Sequence, residues 1–185
     1  EQILQEIISF YAAFATGQPV APATTSASYL DFVSWQTQLL GSEVGESQRI
    51  YWENELQGEL PTLDLPSDHP RSNLQSFHGQ TVEFQVDSED ATQLEQLSKQ
   101  AGCTLFVTLL AAYEVFLHKL SGQRDILIGF PVLGRPRNAF MATVGFFSNP
   151  IVYRGNIEPN IGFLEYLNYV KSKVLNGLAH QDYPF

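Results

Sequence analysis

The sequence predicts an α+β fold in which helices pack as a second layer on one face of a mixed sheet. Three observations point there. Thr81 to Val86 alternates apolar and polar residues, the period of a half-buried strand. Asp125 to Val132 is a short unbroken apolar run, as in a central strand. Between and after these strands lie amphipathic runs at helical spacing, so the order from Gly79 is strand, helix, helix, strand, loop, strand, helix.

The elements follow in chain order. Ile3, Leu4, Ile7, Ile8, Tyr11 and Phe14 recur at helical spacing and define an opening amphipathic helix that Gly17 ends. No capping residue precedes its first apolar positions, so the helix is expected to be entered from upstream residues. Residues 18–28 are rich in Pro, Ala, Ser and Thr and read as a linker. Tyr29–Leu40 reads as a helix with Phe32, Trp35, Leu39 and Leu40 inward, and Gly45–Leu56 as another. Three prolines make Leu60–Arg71 extended or turning.

Asp87 and Asp90 form an acidic variant of the capping box for a helix that places Leu94 and Leu97 inward and stops at Gly102. Thr104 caps the next helix, whose run LFVTLLAAYEVFLHKL is apolar nearly all round and is expected to be buried. Gly122 ends it. Gly134–Asn138 is a Gly/Pro/Arg loop, Asn149–Arg154 a strand, and Phe163–Leu178 the last helix.

Composition narrows the function. The 185 residues are 44% hydrophobic and 16% charged, which fits a folded domain. A net charge of −10 with ten Lys and Arg excludes the clustered cations that a phosphate backbone or an anionic membrane surface requires. Neither nucleic acid nor membrane is therefore an expected partner. The lone Cys103 permits no intrachain disulfide and reads as a buried thiol in a reducing, cytoplasmic setting. No glycine-rich phosphate loop, GxSxG, HExxH or paired metal-ligand histidines are present, so no metal site is expected.

Three segments carry a resemblance. They are Tyr29-Leu30-Asp31-Phe32-Val33-Ser34-Trp35, then Val144-Gly145-Phe146-Phe147-Ser148-Asn149, then His180-Gln181-Asp182-Tyr183-Pro184-Phe185. In this order they are similar to the fourth, fifth and sixth sequence motifs of the condensation domains of nonribosomal peptide synthetases. Tyr51-Trp52, LDLPSDHPR and GFPVLGRPR add to the likeness.

The resemblance implies a chloramphenicol acetyltransferase-like lobe, one of two that form a V around a tunnel. Residues 1–20 would be the tail of the N-terminal lobe, 21–28 a linker and 29–185 an incomplete C-terminal lobe. It implies that donor and acceptor peptidyl carrier proteins bring thioesters on phosphopantetheine arms, beside an adenylation domain of the same megaenzyme. The acceptor amine attacks the donor thioester, with no directly bound cofactor. Epimerisation, heterocyclisation or ester formation are related alternatives, and a degenerate platform that recruits carrier proteins is a non-catalytic one.

The family's His-His-x-x-x-Asp-Gly motif is absent here: His69, His78, His118 and His180 include no adjacent pair. The motif is expected just upstream of Glu1, which would leave this chain inactive alone. Its first helix would then expose an apolar stripe, which favours self-association. The resemblance assigns Asn149 and Arg135 as supporting residues near the tunnel centre. An amide can donate to a carbonyl oxygen that gains charge, and Arg135 would pair with the aspartate of the absent motif. Gly145, Phe146, Phe147, Ser148 and Tyr29 are tunnel-lining candidates, and bulk at Gly145 and the Phe146-Phe147 pair is expected to tune the acceptor space, with Phe147→Ala as its test. Arg137 and the isolated histidines read as solvated or structural, His180 as a helix-end residue.

Overall fold

The computed structural model describes residues 2–19, 27–69, 74, 77 and 79–184. Most of the expected linker, together with His78 and Phe185, lies outside the described residues. Among the described residues six helices and two strands form: α1 Gln2–Thr16, α2 Tyr29–Leu40, α3 Glu43–Glu55, α4 Ser88–Gln100, α5 Leu105–Ser121, β1 Asp125–Val132, β2 Asn149–Asn156 and α6 Phe163–Ala179. A short 3-10 turn spans Asn138–Phe140.

The chain divides into two compact units. One comprises residues 1–55, 130–151 and 180–185, the other residues 56–129 and 152–179. β1 and β2 are hydrogen-bonded neighbours. Ile157 N–H donates to Arg124 C=O, and Gly134 abuts the Phe147 carbonyl, so the start of β1 lies beside the end of β2 and the pairing is antiparallel.

In the second unit, α5 packs against both α4 and α6. Asp87 caps α4 by accepting from the N–H groups of Glu89 and Asp90, and Thr104 caps α5 by accepting from Val107 N–H. Gly122 ends α5 in the left-handed conformation, φ 72°. Buried Val107, Leu110, Ala111, Leu117, Ile126, Tyr153, Tyr166, Leu167, Val170 and Val174 form the apolar interior of this unit. Cys103 is half-buried rather than buried, its Sγ 3.4 Å from Thr108 Oγ1.

Residues 60–69 of the proline-rich stretch form neither helix nor strand, residues 70–71 lie outside the described residues, and two side chains hold positions 57–64. Arg154 pairs with Asp125 through Nε (2.9 Å) and Nη2 (2.6 Å) while Nη1 donates to Gln57 C=O at 2.8 Å. Gln123 acts as a surrogate peptide unit: its Oε1 accepts from Asp64 N–H and its Nε2 donates to Thr62 C=O.

One buried carboxyl stands out in this unit. Glu114, on α5, is 0% exposed. Its Oε2 accepts from Tyr153 Oη at 2.6 Å. Gly155 makes the space, since a Cβ there would lie 1.8 Å from Glu114 Oε1. Burial pushes the Glu114 carboxyl above its usual range, opposed by the Tyr153 hydrogen bond and the nearby Tyr166 hydroxyl; Asp125 adds to the rise and His118 opposes it.

Two further expectations are corrected. Thr81–Val86 forms no strand, and Val82, Phe84 and Val86 are exposed. An alternating segment becomes a strand only when a neighbour supplies ladder partners, and among the described residues none does. α5 is not buried all round: Val107, Thr108, Leu110, Ala111, Glu114 and Leu117 face inward, while Leu105, Phe106, Leu109, Tyr113, Phe116 and Leu120 are exposed. Its apolar residues exceed what α4 and α6 cover. α1 presents Ile3, Leu4, Ile7, Ile8, Tyr11 and Phe14 to solvent, the exposed stripe the sequence anticipates.

Candidate functional site

The site lies in the first unit and is built on an aromatic cluster. α2 begins with a capping box: Ser28 Oγ accepts from Asp31 N–H, and the Asp31 carboxylate accepts from Ser28 N–H. These bonds hold the Asp31 carboxyl below its usual range. So fixed, α2 buries Phe32 against Phe140 and Phe147, with Tyr29 and Trp35 packed around them. The Phe32 and Phe147 ring centroids are 4.6 Å apart and those of Tyr29 and Phe147 5.2 Å, edge on.

Against this cluster runs the segment Gly145–Ser148. A Cβ on Gly145 would lie 2.2 Å from the Tyr29 ring, so only glycine lets the ring close on the backbone. Tyr29 Oη then donates to Phe146 C=O at 2.8 Å. Gly134 is left-handed, φ 63°, and its absent Cβ would lie 1.7 Å from the Phe147 carbonyl oxygen. Pro131, Val132, Leu133, Arg135 and Gly145–Ser148 enclose an open cleft of about 450 Å³.

Adjacent phenylalanines have opposite roles. Phe147 is 5% exposed and belongs to the cluster; Phe146 is 78% exposed and stands at the cleft. Replacing the Phe147 ring would therefore act first on stability. Tyr29 supports the wall from the cluster and is not among the residues around the cleft.

Arg135 lines the cleft. Its guanidinium lies 4.0 Å from the Phe147 ring centroid, and Nη1 donates to the carbonyls of Phe140 and Thr143, the latter at 2.8 Å. It thereby pins the loop that carries the 3-10 turn. Thr143 Oγ1 in turn donates to Ala27 C=O at 2.8 Å. Arg137 stands over Trp35 at 5.5 Å, a contact that its place in a Gly/Pro/Arg loop does not announce.

Asn149 opens β2 next to Ser148. Its Nδ2 donates to Gln181 C=O at 3.0 Å and to Tyr183 C=O at 2.8 Å. His180 stacks flat on Tyr51, centroids 3.9 Å apart and planes 6° from parallel, and Trp52 Nε1 donates to His180 C=O at 2.9 Å. Burial beside Glu55 raises the Tyr51 hydroxyl to about 12, and burial also raises the Asp182 carboxyl. The second motif-like segment thus touches both the first, through Tyr29, and the third, through Asn149. The Tyr51–Trp52 clamp is visible in the sequence only as a motif likeness, because nothing in spacing places residue 51 beside residue 180.

No group of His, Cys, Asp and Glu able to hold a metal occurs among the described residues. No single described helix is long and apolar enough to cross a membrane.

The model of the family described as "Condensation domain" matches residues 2–185. The chain is 40% identical over 183 residues to a linear gramicidin synthase of Brevibacillus parabrevis, covering 99% of this chain and 4% of that protein. It is 38% identical over 183 residues to tyrocidine synthase 3 of the same organism, covering 99% of this chain and 3% of that protein. Among solved structures, the SgcC5 protein from Streptomyces globisporus matches with a TM-score of 0.78 and 27% identity, over 97% of this chain and 40% of that one. The X-domain and OxyB complex from teicoplanin biosynthesis matches with a TM-score of 0.89 over 100% of this chain and 42% of that one, at 23% identity, a likeness of fold. The chain thus spans a small part of the synthetases it matches and about two fifths of the matching structures. Matched along nearly its whole length, the chain belongs to the condensation domain family.

Proposed function

We propose that this chain supplies the cleft wall of a condensation domain that joins aminoacyl or peptidyl groups held as thioesters on two carrier proteins. The donor and acceptor arrive on phosphopantetheine arms, and an adenylation domain of the same synthetase loads the carriers. The acceptor amine nitrogen attacks the donor thioester carbonyl carbon. The C–N bond forms, the C–S bond breaks, and the thiol leaves with the proton given up by nitrogen. The observation that carries the reading is the family match over residues 2–185, with the cleft at Gly145–Ser148 as its local counterpart.

This chain has no adjacent histidine pair, so its part in that reaction is to shape and hold rather than to move the proton. The 185-residue chain alone is expected to form no peptide from loaded carrier proteins, while the full-length synthetase does. Peptide formation by the chain alone, followed by mass spectrometry, would remove the reading.

Phe146 is the side chain whose bulk meets the acceptor. In the full-length polypeptide, Phe146→Ala is expected to change the kcat/KM ratio between a bulky and a small acceptor by about tenfold or more. Phe147→Ala is expected instead to destabilise the domain by roughly 3–5 kcal/mol, as truncation of a buried ring does. Equal loss of all acceptors in Phe146→Ala, with no change of ratio, would count against the assignment.

A further inference from the structure

We propose that Asn149 is a positioning residue, and that it and Trp52 seat the segment His180–Tyr183 as a latch that fixes the cleft wall. A primary amide has two N–H donors. In Asn149 one goes to Gln181 C=O and one to Tyr183 C=O, so its donating capacity is spent on backbone rather than turned on a reacting carbonyl.

The latch is gripped from two distant parts of the chain. α3 holds its first residue, with the Tyr51 ring flat against the His180 imidazole and the Trp52 indole N–H on the His180 carbonyl. β2 holds its next residues through Asn149. The wall is a neighbour in sequence. Ser148 lines the cleft immediately before Asn149, and the Phe147 carbonyl is backed by Gly134. Anchored at 147 and at 149, the backbone between them cannot shift while the latch is seated. A seated latch therefore keeps Phe146 and Ser148 where an acceptor meets them.

The effect on acceptor binding rests on the condensation reading; the existence of the latch does not. Asn149→Asp keeps the shape but turns an acceptor towards two carbonyls, which expels the segment. Trp52→Phe removes the indole donor from the other side. In the full-length polypeptide, amide hydrogen exchange across 180–184 is expected to rise about tenfold or more in both variants, and across 145–149 in Asn149→Asp. Acceptor KM is expected to rise about tenfold in Asn149→Asp with kcat within roughly twofold.

A kcat lowered by orders of magnitude, with unchanged KM and unchanged exchange, would place the amide at the reacting atoms and overturn the proposal. Unchanged protection of 180–184 in Trp52→Phe would also overturn it. Should Asn149→Asp fail to fold, Trp52→Phe carries the exchange test from the opposite side of the latch. Should the wild type form no peptide, the condensation reading falls and the exchange measurement still decides the latch.

Discussion

Replacing Glu114 by glutamine is expected to make the domain more stable than the wild type at alkaline pH and nearly equal to it in acid. Burial raises the folded-state pKa of this carboxyl above its ordinary value of 4.5. Above pH 4.5 the unfolded chain releases its proton while the folded chain still holds it, so the folded state binds more protons. Stability therefore falls as pH rises, until the folded carboxyl also ionises. The decline has a limiting slope of about 1.4 kcal/mol per pH unit. Its full favourable contribution is present only below the unfolded value.

Glutamine has nearly the same shape, keeps an oxygen for the Tyr153 hydroxyl and cannot ionise. Urea denaturation of the intact domain from about pH 4 to about pH 9 should show the decline in wild type and lose this component in Glu114→Gln. The titratable groups around it, His118 on α5, Asp125 on β1, Tyr153 on β2 and Tyr166 on α6, are unchanged by the substitution, so the difference between the two profiles isolates Glu114. A variant that is less stable at every pH with the wild-type slope would show that Glu114 is held as a carboxylate.

The second large effect is expected at Gly134. Gly134→Ala places a methyl 1.7 Å from a backbone carbonyl oxygen, at a φ of 63°. The left-handed conformation costs a non-glycine residue about 1–2 kcal/mol, and overpacking adds roughly 1–3 kcal/mol. The Phe147 carbonyl has little freedom to yield, because its ring is packed between Phe32, Phe140, Tyr29 and Arg135. A destabilisation of about 2–5 kcal/mol is expected, together with a displaced wall and weaker discrimination among acceptors. Gly129→Ala, in β1 with nothing within 4 Å of the added atom, is the control and should change stability by less than about 1 kcal/mol. Equal effects at the two glycines would mean that the close approach at Gly134 relaxes without consequence.

The sequence makes local structure legible wherever local chemistry decides it. α2 starts and ends where the pattern places it, and Asp87, Thr104 and Gly122 stop or start helices through side-chain caps and a left-handed glycine. β1 matches its apolar run residue for residue, and β2 runs two residues further than read. Thr81–Val86 fails because a strand is a property of two segments, and alternation in one says nothing of its partner. Glu114 fails for a related reason. It sits within an apolar helical run, and the groups that make its burial tolerable, Tyr153, Tyr166 and Gly155, lie at least 39 positions away.

The site divides the same way. Motif likeness gathers Arg135, Gly145–Ser148 and Asn149 into one region, and the structure sets most of them around one cleft or at its edge. Their individual tasks are not legible in the sequence. Which of two adjacent phenylalanines turns inward depends on where Phe32 and Tyr29 arrive from α2. Which groups Arg135 and Asn149 bond depends on loop carbonyls that no pattern announces.

The central claim, that this chain shapes the acceptor's surroundings without moving its proton, is tested most directly by a structure of the full-length polypeptide with a non-reactive aminoacyl acceptor analogue on its carrier arm. The predicted result places the analogue's side chain in van der Waals contact with Phe146 and Leu133 at the Gly145–Ser148 wall, with its amine hydrogen-bonded to a group outside residues 1–185. An analogue seated away from that wall, or an amine held by His180, would contradict it.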